Sequence, residues 1–308
     1  MDAPLPIPEP GPPPLYLPFE AGPWRMAMGL LSRPLSALIA IDSGYAYEMA
    51  FRRRLLAERR GEVFAALPES FAARRAVLDL LSRHLPEHHP AWFARTGLSL
   101  INLLTGETWD LANSTADPLE IAGRLVQEDL CLIEPSPSGP RLTAAVLCFP
   151  SRWNLTAKLG RPLAEIHGPV PFYADRLAAP VDRFMAELKP GRLVERFNWS
   201  IHDNPALFQP SGHGLTAPDP GITAENAGEK LWLRVERQTL SRLPETGSIL
   251  FTIKTYRRPL AEIAALPGIA RRLTAALGAL PDETQRYKSL PRFRHALLAF
   301  LDALSACD

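Results

Sequence analysis

Apolar residues recur at three- and four-residue spacing over 45–60, 69–85 and 116–127, which predicts amphipathic helices through the first half of the chain. The pattern changes at 142–148, a short apolar run bounded by the turn PSPSGP and by Pro150, and this predicts a buried strand. Helical spacing returns over 174–188, where Leu177, Val181, Phe184, Met185 and Leu188 share one face and Pro180 marks a kink or restart. The segments 193–201, 231–241 and 248–256 then read as three strands, the last two joined by the turn LPETGS. From 259 to 307 the spacing is helical again, with Leu273, Leu277, Phe300 and Leu304 as packing residues. Two regions carry no such pattern. Residues 1–18 hold prolines at 4, 6, 8, 10, 12, 13, 14 and 18, which predicts an extended arm; 204–228 is a Pro- and Gly-rich loop, a lid or a docking surface. The order of elements predicts an α+β fold: a helical N-terminal portion, a central antiparallel sheet and a helical C-terminal cover, in one domain spanning 19–308.

A hydrophobic content of 46% over 308 residues suits a substantial core, and 34 basic against 33 acidic residues give no general attraction to nucleic acid or an anionic membrane. Neither an export signal nor a membrane-spanning run is recognisable, so a cytoplasmic location is expected. Arg52, Arg53, Arg54, Arg59 and Arg60 interleave with Glu48, Glu58 and Glu62 and predict a solvated helix face. Cys131, Cys148 and Cys307 cannot all pair and show no CxxC or CxxCH spacing, which fits a reducing compartment and leaves no ligand set for an iron–sulfur cluster. GxSxG, HExxH and Gly-rich phosphate or dinucleotide loops are missing too.

The most distinctive stretch is FPSRWNLTAKLGRPLAEIHGPVPFY (149–173), which sets His167 between a strand and a helix start, stiffened by Gly168, Pro169 and Pro171. Imidazole in such a position is either a metal ligand or a hydrogen-bonded helix end. His202, closing a strand, is the rival ligand, whereas the HLPEHH cluster of His84, His88 and His89 reads as a solvated helix terminus. Strand alternation groups Arg196, Asn198 and Ser200 against Glu195, Phe197, Trp199 and Ile201, and Trp232, Arg234, Glu236 and Gln238 against Leu233, Val235, Arg237 and Thr239. Arg237 therefore shares an apolar face and needs an anion, from a ligand or from a structural carboxylate. Lys254 lies on a face with Thr252 and Tyr256. Cys148 reads as a small core residue without a basic neighbour.

The segments GRPLAEIHGPVPFY, ERFNWSIHDNP and LRVERQTLSRLP, with IDSGYAYEMAFRRRLL (41–56) and GRLVQEDLCLIEP (123–135), resemble the alpha subunit of the haem-dependent oxidative N-demethylases over about residues 19–260. The resemblance implies a Per-ARNT-Sim (PAS) type core at about 125–260 and haem b bound through a histidine, here His167. It further implies oxidation of a dimethylamine-like secondary amine with dioxygen, giving formaldehyde and the demethylated amine. By the same resemblance, electrons would come from NADPH through flavin and iron–sulfur reductase subunits. On this expectation Arg196, Arg237, Thr239 and Lys254 join His167 in holding haem, while Glu236, Trp199 and Tyr256 meet the amine. A haem-based PAS gas or redox sensor and a haem-free docking subunit are the alternatives.

Overall fold

The computed structural model describes residues 7–306 and is α+β. Its centre is an antiparallel sheet of seven strands, built from β1 (Leu31–Arg33), β2 (Phe64–Ala66), β6 (Asp129–Glu134), β7 (Arg141–Val146), β8 (Leu193–His202), β9 (Trp232–Arg242) and β10 (Ile249–Pro259). The strand order is β1-β8-β9-β10-β6-β7-β2, while β3 (Phe93–Thr96), β4 (Ser99–Asn102) and β5 (Glu107–Asp110) form a separate three-stranded sheet. The long pair β9 and β10 is a hairpin whose turn closes through Gly247 in the left-handed region, φ 72°, as the LPETGS signal predicts.

Helices α1 (Tyr45–Glu58), α2 (Arg60–Val63), α3 (Phe71–His88) and α4 (Pro118–Gly123) precede the sheet centre. Three short helices, α5 (Leu163–Ile166), α6 (Tyr173–Arg176) and α7 (Ala178–Glu187), lie between β7 and β8, with the restart that Pro180 signals falling at Leu177. After α8 (Ala227–Lys230) and the hairpin come α9 (Leu260–Ala264), α10 (Ile269–Gly278), α11 (Asp282–Tyr287) and α12 (Arg294–Ser305), the predicted cover.

Alternation gives the sheet two faces with different neighbours. On the back face, Leu130, Leu132, Val146 and Leu250 pack with Met49, Val77, Leu81 and Leu119 of the N-terminal helices. On the same face, Leu233, Val235 and Tyr256 pack with Leu273, Leu297 and Leu301 of the cover. On the front face, Ile133, Leu240 and Ile249 lie under Leu163, Met185 and Leu188, and Cys131 and Ala145 meet Leu147 and Leu155.

Several expectations are corrected. The helix expected over 116–127 spans only Pro118–Gly123; it packs so closely on β7 that an added Cβ at Gly123 would sit 2.6 Å from Val146 Cγ1, and the residues after it turn inward and are buried. The buried strand β6 follows directly. β7 ends at Val146, two residues before the predicted end, because the Asp129 carboxylate accepts the N–H groups of Cys148 (2.7 Å) and Phe149 (2.9 Å) in place of a strand partner. That carboxylate also explains Arg52, which is fully buried and ion-paired to Asp129 at 3.0 Å instead of lying on a solvated face. Glu48, half-buried nearby, accepts from Gln127 Nε2 at 2.8 Å. His84 likewise is buried, its ring 4.5 Å from that of His88 and tilted 60° to it, and is not part of a solvated helix end. Cys148 does have a basic neighbour in Arg52, but burial pushes its thiol up to about 12, so it remains a core residue.

Residues 7–18 carry no helix or strand and lie against the body. The Pro8 and Pro13 carbonyls accept from Trp92 Nε1 (2.7 Å) and Arg258 Nη2 (3.0 Å), and the Gly11 carbonyl accepts from the Ser43 N–H (2.8 Å). The first six residues of the predicted arm, and Cys307, lie outside the described residues. Among the described residues no helix is long and apolar enough to cross a membrane.

Candidate functional site

His167 caps the C-terminal end of α5, a single turn that starts at the extended Pro162. Its backbone N–H and its ring Nδ1 both reach the Leu163 carbonyl, at 2.9 and 2.8 Å. A carbonyl oxygen only accepts, so Nδ1 carries the ring proton and Nε2 keeps its lone pair. Nε2 has no hydrogen-bond partner and is not among the buried unpaired atoms, so it faces accessible space. Tyr173 stacks on the imidazole at 4.6 Å and 13°, placed there by Phe172 in the left-handed region at φ 63°. Burial pushes the His167 pKa down to about 4, and the nearby Lys158 and Arg196 cations add to this, so the ring is neutral at neutral pH.

The front-face side chains of β8 and β9 approach the same space. Register sets Asn198 opposite Glu236 and Arg196 opposite Gln238. Glu236 Oε2 accepts from Asn198 Nδ2 (3.2 Å) and Gln238 Nε2 (2.8 Å), and Gln238 Oε1 accepts from Arg196 Nη1 (3.0 Å). No protein group among the described residues donates to Glu236 Oε1. Around this carboxylate stand three cations that form no ion pair among the described residues: Arg196, Lys158 and Lys288. Lys158 Nζ lies 4.6 Å over the Trp153 ring, and Lys288 Nζ donates to the Trp199 carbonyl at 2.6 Å. Burial lowers the pKa of all three, that of Lys288 to about 8, while the Glu236 charge opposes the shift in each. These groups are strongly desolvated yet only half-buried, which is the condition of side chains lining a cleft. Tyr287, whose ring meets His213 edge-on at 4.1 Å, lies near Glu236 and borders the cleft beside Lys288. Arg196 Nε and Tyr173 Oη are buried without partners in its wall.

The remaining residues expected at the site lie on the back face. Arg237 donates to Glu195 Oε1 at 2.5 Å and to the Ala37 carbonyl, so its anion is a structural carboxylate. Lys254 is almost fully buried and bound to Asp42 (2.7 Å), the Ala40 carbonyl (2.6 Å) and Gln127 (2.9 Å). Thr239 is hydrogen-bonded to Thr252 at 2.6 Å. Tyr256 contacts Tyr16 at 5.1 Å between ring centroids, and Trp199 contacts Phe19 at 5.3 Å. Thus His167, Arg196 and Glu236 come together, and Arg237, Thr239, Lys254, Tyr256 and Trp199 do not join them.

His202 is buried against Gln209, its Nδ1 at 3.1 Å from Oε1, and the Arg234 and Arg152 charges add to burial in holding it neutral. Lys158, Tyr173 and Lys288 are lining residues that periodicity and motif spacing do not single out. The one available signal is that Lys158 and Lys288 are cations inside segments otherwise patterned for packing. All non-glycine residues with left-handed backbone among the described residues, Arg152, Phe172 and Ser289, fall in the segments that form this cleft. No three His, Cys, Asp or Glu side chains converge as a metal site among the described residues.

A family model described as haem-dependent oxidative N-demethylase, alpha subunit-like, matches residues 29–298, and the chain belongs to that family.

Proposed function

We propose that this chain is the haem-carrying subunit of an oxidative N-demethylase acting on a small secondary amine of the dimethylamine kind. Haem b is its cofactor, dioxygen the oxidant, and flavin and iron–sulfur subunits the electron donors. The observation that carries this reading is His167, whose Nδ1 is pinned by the Leu163 carbonyl while Nε2 stays free, the arrangement that orients a metal-binding imidazole. The surrounding residues fit a haem. One free imidazole suffices, because a porphyrin brings its own four nitrogens. Lys158 and Arg196, half-buried cations without carboxylate partners, suit propionates, and Trp153, Leu155, Ile166 and Phe251 offer an apolar wall.

When bound, haem supplies dioxygen activation and oxidation of an N-methyl carbon, with release of formaldehyde and the demethylated amine. The protein's own groups position the amine. Asn198 and Gln238 fix one oxygen of Glu236, and the free Oε1 receives the substrate N–H. Tyr173 holds the plane of His167, and half-buried Tyr287 with His213 restricts water at the cleft mouth. On this reading the back-face residues Arg237, Thr239, Lys254, Tyr256 and Trp199 support the sheet from behind. The succession β6–β7, α5–α7, β8–β10 supports a PAS-like core at about 125–260 within one domain, 19–308, preceded by the Pro-rich segment 1–18. The buried free thiols Cys131 and Cys148 accord with a cytoplasmic setting.

The test is the visible spectrum of the purified protein, oxidised and dithionite-reduced, with and without dimethylamine, beside His167→Ala. A Soret band that shifts with the amine and is lost in the variant is expected. A band blind to amines would instead indicate a gas or redox sensor, and no band in haem-reconstituted wild type a docking subunit.

A further inference from the structure

Lys288 is a desolvated lysine with no part in the scheme above. It follows α11, its N–H bonded to the Thr284 carbonyl at 3.0 Å. The next residue, Ser289, is left-handed at φ 58°, and its hydroxyl accepts the Leu215 N–H at 3.0 Å. This turn aims Lys288 back over the edge of β8, where it meets the Trp199 carbonyl. The charged and titratable groups near it are Glu236 on β9, Arg196 and His202 on β8, and His213 on the 204–228 loop. Its environment differs from those of Lys254, which is ion-paired to Asp42, and of Lys189 and Lys230, which are exposed; like Lys158 over Trp153 it lies over an indole, its Nζ 5.7 Å from the centroid of the Trp199 ring, but it alone of the two also bonds a backbone carbonyl there.

We propose that Lys288 is a nucleophile that captures a small aldehyde in the cleft as a reversible imine. The aldehyde is formaldehyde released beside it, a source that rests on the demethylase reading. The Nζ lone pair attacks the carbonyl carbon, the C–N bond forms as the C=O π bond opens, and a proton passes from nitrogen to oxygen to give the N-hydroxymethyl amine. Loss of water then gives the imine, and hydration reverses both steps, so no oxidant or reductant is consumed. Glu236 is the nearby acid–base group that such a dehydration needs. Desolvation and an adjacent cation are the two devices that activate a lysine for this chemistry, and burial with Arg196 supplies both. With its pKa near 8, roughly a tenth of Lys288 is neutral at pH 7, against about one part in a few thousand for an exposed lysine.

The full-length haem-loaded chain is treated at pH 7 with one equivalent of deuterated formaldehyde and cyanoborohydride, which reduces any imine to a stable N-methyl group, and the label is mapped by peptide mass spectrometry. Label at Lys288 at least tenfold above Lys189 and Lys230, absent from a Lys288→Arg variant that keeps its Soret band, supports the proposal. Label spread over Lys189 and Lys230 with Lys288 no higher overturns it, from the wild-type map alone. In a second arm the complete complex turns over deuterated dimethylamine with NADPH and dioxygen, cyanoborohydride again being present to reduce any imine. Label at Lys288 in both arms upholds both readings; label from added formaldehyde but none from turnover upholds aldehyde capture and overturns its demethylase source.

Discussion

Among single side chains, Glu236 has the clearest consequence. One of its oxygens is held by two amides and the other is free, so Glu236→Gln keeps the shape and removes only the charge that, on the proposed function, receives the amine. Haem binding should be unchanged, and the dimethylamine concentration for half-maximal Soret shift should rise 10- to 100-fold, about 1.4–3 kcal/mol. A spectral titration unchanged in the variant would remove Glu236 from substrate binding. His84 carries a prediction of a different kind. Burial pushes its pKa down to about 4, below the ordinary value of 6.5, so the unfolded chain takes up a proton in a range where the folded chain does not. Its contribution is present in full above pH 6.5 and is lost as pH falls from 6.5 to 4. Urea melts of wild type and His84→Leu across that window should show a loss of up to about 3 kcal/mol that is smaller in the variant.

Whole elements separate support from chemistry. Lys254 ties β10 to Asp42, ahead of α1, through a pair enclosed on all sides. Lys254→Ala should cost about 3–5 kcal/mol by leaving Asp42 buried and uncompensated. A haem titration of the folded variant should stay within about twofold of wild type, and a large loss of haem affinity would return Lys254 to the cofactor site. The long strands were legible because β8, β9 and β10 alternate over 10 or 11 residues, enough for period 2 to stand out. β6 was not, since DLCLIE is buried on both faces and shows no alternation, and β3 to β5 are only four residues each. Alternation grouped the residues within each strand as the structure does, but it did not tell which faces of neighbouring strands coincide, and the expected site drew on both faces of the sheet. What it could not supply was the face over which α5 lays His167, or that a turn at Ser289 returns residue 288 to β8; both are contacts between segments far apart in the chain.

At the scale of the molecule, the N-terminal helices and the C-terminal cover close the back of one sheet while the short helices leave the front accessible. The chain has no cysteine quartet for an iron–sulfur cluster, so on the proposed function oxidation by this chain alone should end when its own reducing equivalents are spent. The haem-loaded chain, reduced with dithionite and freed of excess reductant, should give at most one formaldehyde per haem on mixing with dimethylamine and dioxygen. It should not oxidise NADPH unaided. Repeated turnover by the isolated chain would overturn that division of labour.

The left-handed residues Arg152, Phe172 and Ser289 bear on how such a protein could be improved. Each costs about 1–2 kcal/mol relative to glycine in the same conformation, a penalty that selection for heat resistance alone would remove. Glycine at 172 or 289 would also free the turns that aim Tyr173 and Lys288. At Arg152 and Ser289 the side chain's own bonds, to Asp203 and to the Leu215 N–H, offset that penalty, so laboratory evolution toward thermostability should find its gain at codon 172, the position where selection for activity would reject it.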